Sequence, residues 1–280
     1  MCRWVAYSGE PVFLEDFVSR PCQSLIAQSR HCRESKVEVN ADGFGIGWYG
    51  ERTRPGIFRD IRPAWNDENL ISIAHQIRSR LFFAHVRAST GTATTRANCH
   101  PFAVDTWLFM HNGQVGGWDR LRRRIEMAIP EELFQHRGGT TDSEALFLIA
   151  LGFGLATDPA AAIARTLAFL EGEMRSAGVA EPLRFTAVFS GGEDLVAVRY
   201  ASDGQPPTLY TKTCQVAGGT LLVSEPLDDV RLGWTAIPAQ SLVTVKRGVV
   251  TVTPFAPGGV AVVGKGPAKR ARAKTAVAAE

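Results

Sequence analysis

Cysteine is scarce: five residues, at positions 2, 22, 32, 99 and 214, in a chain of 280. An odd, widely spaced set argues against a disulfide framework and for reduced thiols, which is the state kept in the cytoplasm, the expected location. Long apolar runs are missing as well. The longest, Ala145 to Ala156, is broken by two glycines and falls short of the roughly 18 residues that argue for a membrane span. The first residues, Met-Cys-Arg-Trp with Glu10, Glu15 and Asp16 soon after, hold no basic segment leading into an apolar one, so no export signal is expected. Paired metal-ligand spacings are absent: Cys22, His31 and Cys32 do not form them, and Cys99-His100 adds a single adjacent pair, so neither metal nor other cofactor is expected.

Charge of one sign is absent from the body of the chain. Lys plus Arg number 31 against 28 acidic residues, but Lys265, Lys269, Arg270, Arg272 and Lys274 crowd into the last stretch with only Glu280 against them. Residues 1–263 therefore read as one near-neutral domain and 264–280 as a disordered basic tail. That tail lacks the interleaved aromatics and basic face of a nucleic-acid reader, so a nucleic-acid partner is not expected. The remainder, 45% hydrophobic and 21% charged, is ordinary globular usage without internal repeat or proline-rich linker.

Alternating or continuously apolar runs predict strands over Arg3–Tyr7, Phe44–Tyr49, Leu81–Val86, Trp107–His111, Phe185–Phe189, Leu195–Tyr200, Thr220–Ser224, Leu242–Val245 and Val249–Thr253. Helices are predicted over Leu70–Arg78, Ser143–Leu155 and Pro159–Ala177, the second opened by a capping box at Thr141-Asp142-Ser143-Glu144. The order of strands, helical middle and strands again favours two antiparallel sheets packed with helices over alternating βαβ units. Glycines at 43, 45 and 47 lack the context of a dinucleotide fingerprint and mark close backbone approach within a strand.

Several residues carry possible chemistry. With Met1 removed, Cys2 holds a thiol and an α-amine on one residue, a self-contained nucleophile and base; it is otherwise an incidental cysteine. Asn112-Gly113 follows an apolar run, where a strand is expected to turn, and could aim an amide and a backbone N–H at an oxyanion; it is also the commonest hairpin signal. Arg87 ends a run that reads as buried, so its guanidinium needs a carboxylate from protein or substrate. Asp142 is either part of the helix cap or faces a substrate ammonium. A Cys–His dyad using His85, His100 or His111 is a further arrangement the sequence allows.

In order, Met1-Cys2, His85-Val-Arg87-Ala-Ser-Thr90-Gly91, Asn98-Cys-His100-Pro101, His111-Asn112-Gly113 and Thr141-Asp142-Ser-Glu144 resemble the class II glutamine amidotransferase domain of the N-terminal nucleophile hydrolases. The resemblance implies a four-layer αββα sandwich of two antiparallel sheets flanked by helices. It implies Cys2 as nucleophile with its own α-amine as base, and Asn112 with the Gly113 N–H as oxyanion hole. Arg87 and Thr90 would hold the glutamine α-carboxylate, Asp142 the α-ammonium, and His100 would order the neighbouring loop. Arg3 stands where the large synthases usually have Gly, and Ala88 where Trp often follows the arginine. With Asn40-Ala-Asp42-Gly43-Phe-Gly45, Ser224-Glu225-Pro226-Leu227-Asp228-Asp229 and Gly233-Trp234, these departures look more like the stand-alone branch, which contains γ-glutamyl hydrolases of ergothioneine synthesis and glutathione breakdown.

The implied function is hydrolysis of a γ-glutamyl amide through a Cys2 thioester. Two alternatives are a glutaminase subunit supplying ammonia to a separate synthetase partner and a catalytically silent scaffold on the same fold. From the length, a single core without an acceptor domain is expected. The leaving group is expected to meet loops within residues 30–38, 52–67 or 116–139.

Overall fold

The computed structural model describes residues 2–258 except 35–38, 90, 215–217 and 231–232. Thr90 and the tail expected over 264–280 thus lie outside the described residues. In chain order the strands are β1 (Arg3–Phe13), β2 (Phe44–Trp48), β3 (Gly56–Asp60), β4 (Arg78–Val86), β5 (Phe102–Val104), β6 (Trp107–Gln114), β7 (Arg184–Ser190), β8 (Leu195–Ala201), β9 (Tyr210–Cys214), β10 (Gly219–Val223), β11 (Thr235–Ala236), β12 (Ser241–Lys246) and β13 (Val249–Pro254). The α-helices are α1 (Glu15–Val18), α2 (Leu25–Arg30), α3 (Glu68–Gln76), α4 (Trp118–Glu126), α5 (Glu131–Phe134), α6 (Asp142–Gly152) and α7 (Pro159–Ser176).

Two antiparallel sheets result, ordered β11-β9-β10-β1-β4-β2-β3 and β13-β12-β8-β7-β6-β5. Strand alternation divides their side chains among three apolar layers. Val5, Tyr7, Phe82 and Ala84 face α1, α2 and α3 through Leu14, Phe17, Leu25 and Leu70. Trp4, Ala6, Leu81 and Phe83 face the second sheet and meet Leu108, Met110, Val188 and Ala197. On that sheet's far side Phe109, Phe185 and Phe189 pack under α4, α6 and α7. The architecture is therefore helix, sheet, sheet, helix, as expected.

The nine predicted strands are all present, with ends shifted by up to six residues. Arg78, read as the end of a helix, is instead the first residue of β4. The backbone becomes extended at Ile77, directly after α3, and no polar linker intervenes. The expected loop over 116–139 holds α4 and α5; α4 carries six charged residues in nine, and its buried stripe reduces to Leu121 and Ile125.

Helix α6 is buried on nearly all sides, from Ser143 to Ala150. Thr141 caps it, its hydroxyl accepting the Glu144 N–H at 3.3 Å. The reciprocal half of the capping box is replaced. Glu144 accepts the N–H groups of Gly138 and Gly139 at 3.2 and 2.7 Å and pairs with Arg137 at 2.7 Å, so its carboxylate folds the preceding loop onto the helix start.

Candidate active site

Strand β1 is clamped at its head. Arg3 lies opposite Val86 of β4, while the Trp4 N–H donates to Ser224 Oγ at 2.9 Å just beyond β10. Cys2 therefore sits immediately outside the ladder, against the residues that follow β4. Its Sγ accepts the Ala88 N–H at 3.4 Å and lies 3.5 Å from the Ala88 carbonyl. Burial pushes the Cys2 thiol above its ordinary pKa, with the Ala88 hydrogen bond and the cationic Arg87 and Arg3 pulling the other way.

Asn112 reaches the same place from the other sheet. Its Nδ2 donates to the Cys2 carbonyl at 2.9 Å, which leaves the second amide N–H for another acceptor. The turn expected at Asn112-Gly113 is not there: β6 runs through both residues, pairing them with Thr186 and Phe185 of β7. Gly113 has φ +147°, and a Cβ on it would stand 1.9 Å from the Arg184 carbonyl oxygen. Glycine is required here by the close approach of β7, not by a hairpin.

Arg87 is 3% exposed. Its Nη1 donates to the Asp42 carbonyl at 3.3 Å, and its Nη2 to Ser89 Oγ at 3.2 Å and Thr92 Oγ1 at 2.6 Å. Among the described residues no carboxylate forms an ion pair with it. A buried guanidinium held only by neutral oxygens keeps a strong attraction for an incoming anion. Gly43, just before β2, and Gly45 and Gly47 within it allow a close approach of the chain around residue 100. A Cβ on Gly43, Gly45 or Gly47 would lie 2.6 Å from Cys99 Sγ, 2.2 Å from the His100 carbonyl oxygen and 2.8 Å from Pro101 Cγ respectively. The strand thus lies directly against residues 99–101.

Asp142, the first residue of α6, accepts the Val115 N–H at 2.9 Å and the Ser143 N–H at 2.7 Å. It is partly exposed just past the end of β6. Ser143 Oγ is 3.2 Å from the same carboxylate and 2.9 Å from His111 Nδ1, while His111 Nε2 faces the Arg184 carbonyl at 3.2 Å. His100 holds its loop by packing: its ring stacks on His85 with centroids 4.2 Å apart and meets Phe102 edge-on. No hydrogen bond reaches the ring nitrogens of His85 or His100 among the described residues. Burial, followed by the Arg87 charge, drives the His85 pKa down to about 3; burial, followed by the neighbouring His85, holds His100 well below the usual value.

Of the sequence candidates, then, Cys2, Asn112, Gly113 and Arg87 converge, Asp142 stands at the end of the strand carrying Asn112, and His100 lies behind. Ser89 and Thr92, which hold Arg87, and Ser143, which touches both Asp142 and His111, escaped sequence reasoning; Ser89 and Ser143 lie inside the quoted motifs, but a hydroxyl beside a charged residue does not itself show which group it will meet. Asn98 escaped as well: it bridges Ala93, through its amide, to the Thr140 N–H at 2.7 Å. Its place in the Asn98-Cys-His100-Pro101 motif was the available signal. Among the described residues no group of His, Cys, Asp and Glu is arranged to hold a metal.

Two antiparallel sheets between helical layers, with a cysteine at the head of one central strand facing an asparagine of the other sheet, define the architecture of the N-terminal nucleophile hydrolases. The chain belongs to the class II glutamine amidotransferases, whose family profile matches residues 16–206. It is 30% identical to a probable glutamine amidotransferase of Saccharomyces cerevisiae, DUG3, over 91% of this chain and 84% of that one. It is 32% identical to the gamma-glutamyl-hercynylcysteine sulfoxide hydrolase of Mycolicibacterium smegmatis, over 91% of this chain and all of that one. A solved class II domain protein from Silicibacter pomeroyi superposes with TM-score 0.73 at 39% identity, covering 91% of this chain and all of that one. The glutamine phosphoribosylpyrophosphate amidotransferase of B. subtilis shares the fold, with TM-score 0.63 at 12% identity over 91% of this chain and 49% of its own length. These relatives place the chain in the stand-alone branch of an enzyme family. No helix among the described residues is long and apolar enough to cross a membrane.

Proposed function

We propose that the protein hydrolyses a γ-glutamyl amide, with Cys2 as nucleophile once Met1 is removed. The observation that carries this reading is adjacency: the Cys2 thiol rests on Ala88, one residue beyond a buried Arg87 guanidinium that lacks a carboxylate partner among the described residues. A γ-glutamyl head brings a carboxylate for Arg87 and an ammonium for Asp142, and Thr90 would join Arg87. The gamma-glutamyl-hercynylcysteine sulfoxide hydrolase, by its name a γ-glutamyl hydrolase, supports the same substrate class.

The chemistry follows from the residues. The α-amine of Cys2, with an ordinary pKa of about 7.7–8.0, takes the thiol proton. Sulfur attacks the γ-carbonyl carbon, and the oxyanion is met by the free Asn112 amide N–H and the Gly113 N–H. The intermediate collapses as the α-ammonium returns the proton to the leaving amine, leaving a γ-glutamyl thioester on Cys2. Water, deprotonated by the same α-amine, attacks the thioester, releases glutamate and restores the thiol. Ammonia or an amine is the other product; its passage to a synthetase partner is the competing outcome, which copurification of such an enzyme would favour.

The test is the intact mass of the protein before and after exposure to a diazoketone analogue of glutamine, with peptide mapping. Loss of Met1 and one adduct on Cys2 is the expected result. A retained Met1, or no adduct on a folded chain, overturns the mechanism and favours a silent scaffold. Comparison of free glutamine with γ-glutamyl conjugates then ranks the leaving groups.

A further inference from the structure

Arg3, the first residue of β1, and Glu225, two residues past β10, form a buried ion pair at one end of the first sheet. Arg3 is 1% exposed and Glu225 3%, with Nε and Oε2 2.9 Å apart. Burying two charges is expensive, and replacement of such a pair by well-packed hydrophobic side chains of similar volume is often neutral or stabilising. Stability alone thus gives little reason for charge at this position.

What the pair touches supplies another. Arg3 Nη1 donates to the Cys2 carbonyl at 2.9 Å, the same oxygen that accepts from Asn112. Glu225 accepts the Arg33 N–H at 3.0 and 3.1 Å and the Glu34 N–H at 3.0 Å, so its carboxylate also sets the course of the chain after α2. The backbone of Glu225 is itself pinned, since Gln28 Nε2, buried on α2, donates to the carbonyls of Glu225 and Pro226 at 3.3 and 3.1 Å. Helix α2, the 225–226 turn, the 33–34 segment and the head of β1 are therefore joined through one guanidinium–carboxylate contact.

We infer that Arg3 and Glu225 are positioning residues for the nucleophile, a clamp that fixes the Cys2 carbonyl and with it the directions of the Cys2 thiol and α-amine. Resting on the reading of Cys2 as nucleophile, the inference adds two residues remote from the γ-glutamyl head. Holding the carbonyl from both sheets fixes the torsion between Cys2 and Arg3. The thiol is then aimed before substrate arrives, and a misplacement of about 1 Å at such a centre can cost on the order of a hundredfold in rate. The 33–34 segment, within one of the stretches expected to meet the leaving group, is tied to the same contact.

The experiment compares the wild type with the Arg3→Met/Glu225→Gln double variant, which removes both charges together. Intact mass, thermal unfolding, active-site titration by the diazoketone, and kcat and KM on glutamine and a γ-glutamyl anilide are measured. The expected result is a folded, processed chain with kcat per titrated site lowered about tenfold or more and KM within about twofold, because Arg87 and Asp142 are untouched. Labelling at Cys2 slows in parallel. Unchanged turnover per titrated site, with only the titratable fraction reduced, assigns the pair a purely structural role and overturns the inference. Should the double variant not fold, Glu225→Asp, which keeps the charge and withdraws it by one methylene, is read by the same two outcomes. A wild type that is not labelled on Cys2 sinks the catalytic reading itself, whereas a labelled wild type with a full-speed variant sinks only the clamp.

Discussion

At the scale of single residues, Arg87 is the sharpest handle on substrate class. Its fork is spread over Asp42, Ser89 and Thr92, all through neutral oxygens. Lysine keeps the charge but not the fork. Arg87→Lys is expected to lower kcat/KM on γ-glutamyl amides about ten- to a hundredfold, the equivalent of one charge-assisted hydrogen bond of about 1.5–3 kcal/mol. On an analogue lacking the α-carboxylate, wild type and variant should turn over alike. Equal kcat/KM on both substrates points instead to an acylase of another amide. The chemical identities of Cys2, Asn112, Arg87 and Asp142 were legible in the sequence because each belongs to a short motif. Arg3 was legible only as a departure, since nothing in Cys-Arg-Trp announces a partner 222 positions away at Glu225.

At the scale of elements, β2 illustrates what periodicity can and cannot convey. The Gly-x-Gly-x-Gly alternation that runs into it from Gly43 reads correctly as close approach, and the approaching chain is residues 99–101. Gly45→Ala places a methyl 2.2 Å from the His100 carbonyl oxygen, which is backbone and cannot swing aside. The variant is expected to lose about 1–3 kcal/mol of stability in urea unfolding, with a larger loss of activity through displacement of residues 99–101. A variant as stable and active as wild type would show that β2 can retreat. Long strands were legible through their apolar runs; β3, β5, β9 and β11 were not, being short, edge-lying or only partly buried. Asn112-Gly113 misled for a physical reason. The pair that suits a hairpin turn also suits a strand needing an inward amide followed by a residue without Cβ.

At the scale of the whole molecule, the interior holds imidazoles that stay neutral. His85 has its pKa lowered to about 3, chiefly by burial and then by Arg87, against 6.5 in the unfolded chain. Above pH 6.5 both states are neutral and this stabilising difference is fully present. Below it the unfolded chain takes up a proton that the folded chain refuses, so stability falls by about 1.4 kcal/mol per pH unit for that residue until about pH 3. His100 acts in the same direction. Urea midpoints should therefore drop steeply between pH 6.5 and 5, and His85→Phe should flatten the slope. An unchanged slope in that variant would place the acid sensitivity elsewhere.

Cys2 and Asn112 stand on different sheets and share an oxygen across the layer filled by Trp4, Phe83, Leu108 and Met110. That layer has no covalent tie, since none of the five cysteines is joined in a disulfide. Side-chain interdigitation and a few hydrogen bonds, among them that of the Tyr49 hydroxyl to the Thr106 and Ser190 carbonyls, keep one sheet from sliding over the other, and a slide of an ångström or two would part the proposed attacking atom and anion donor while leaving every strand ladder intact. On the proposed mechanism, turnover is in this sense a gauge of shear between two plates, more sensitive than any measure of secondary structure, and the packing of an apolar interior becomes part of the catalytic apparatus.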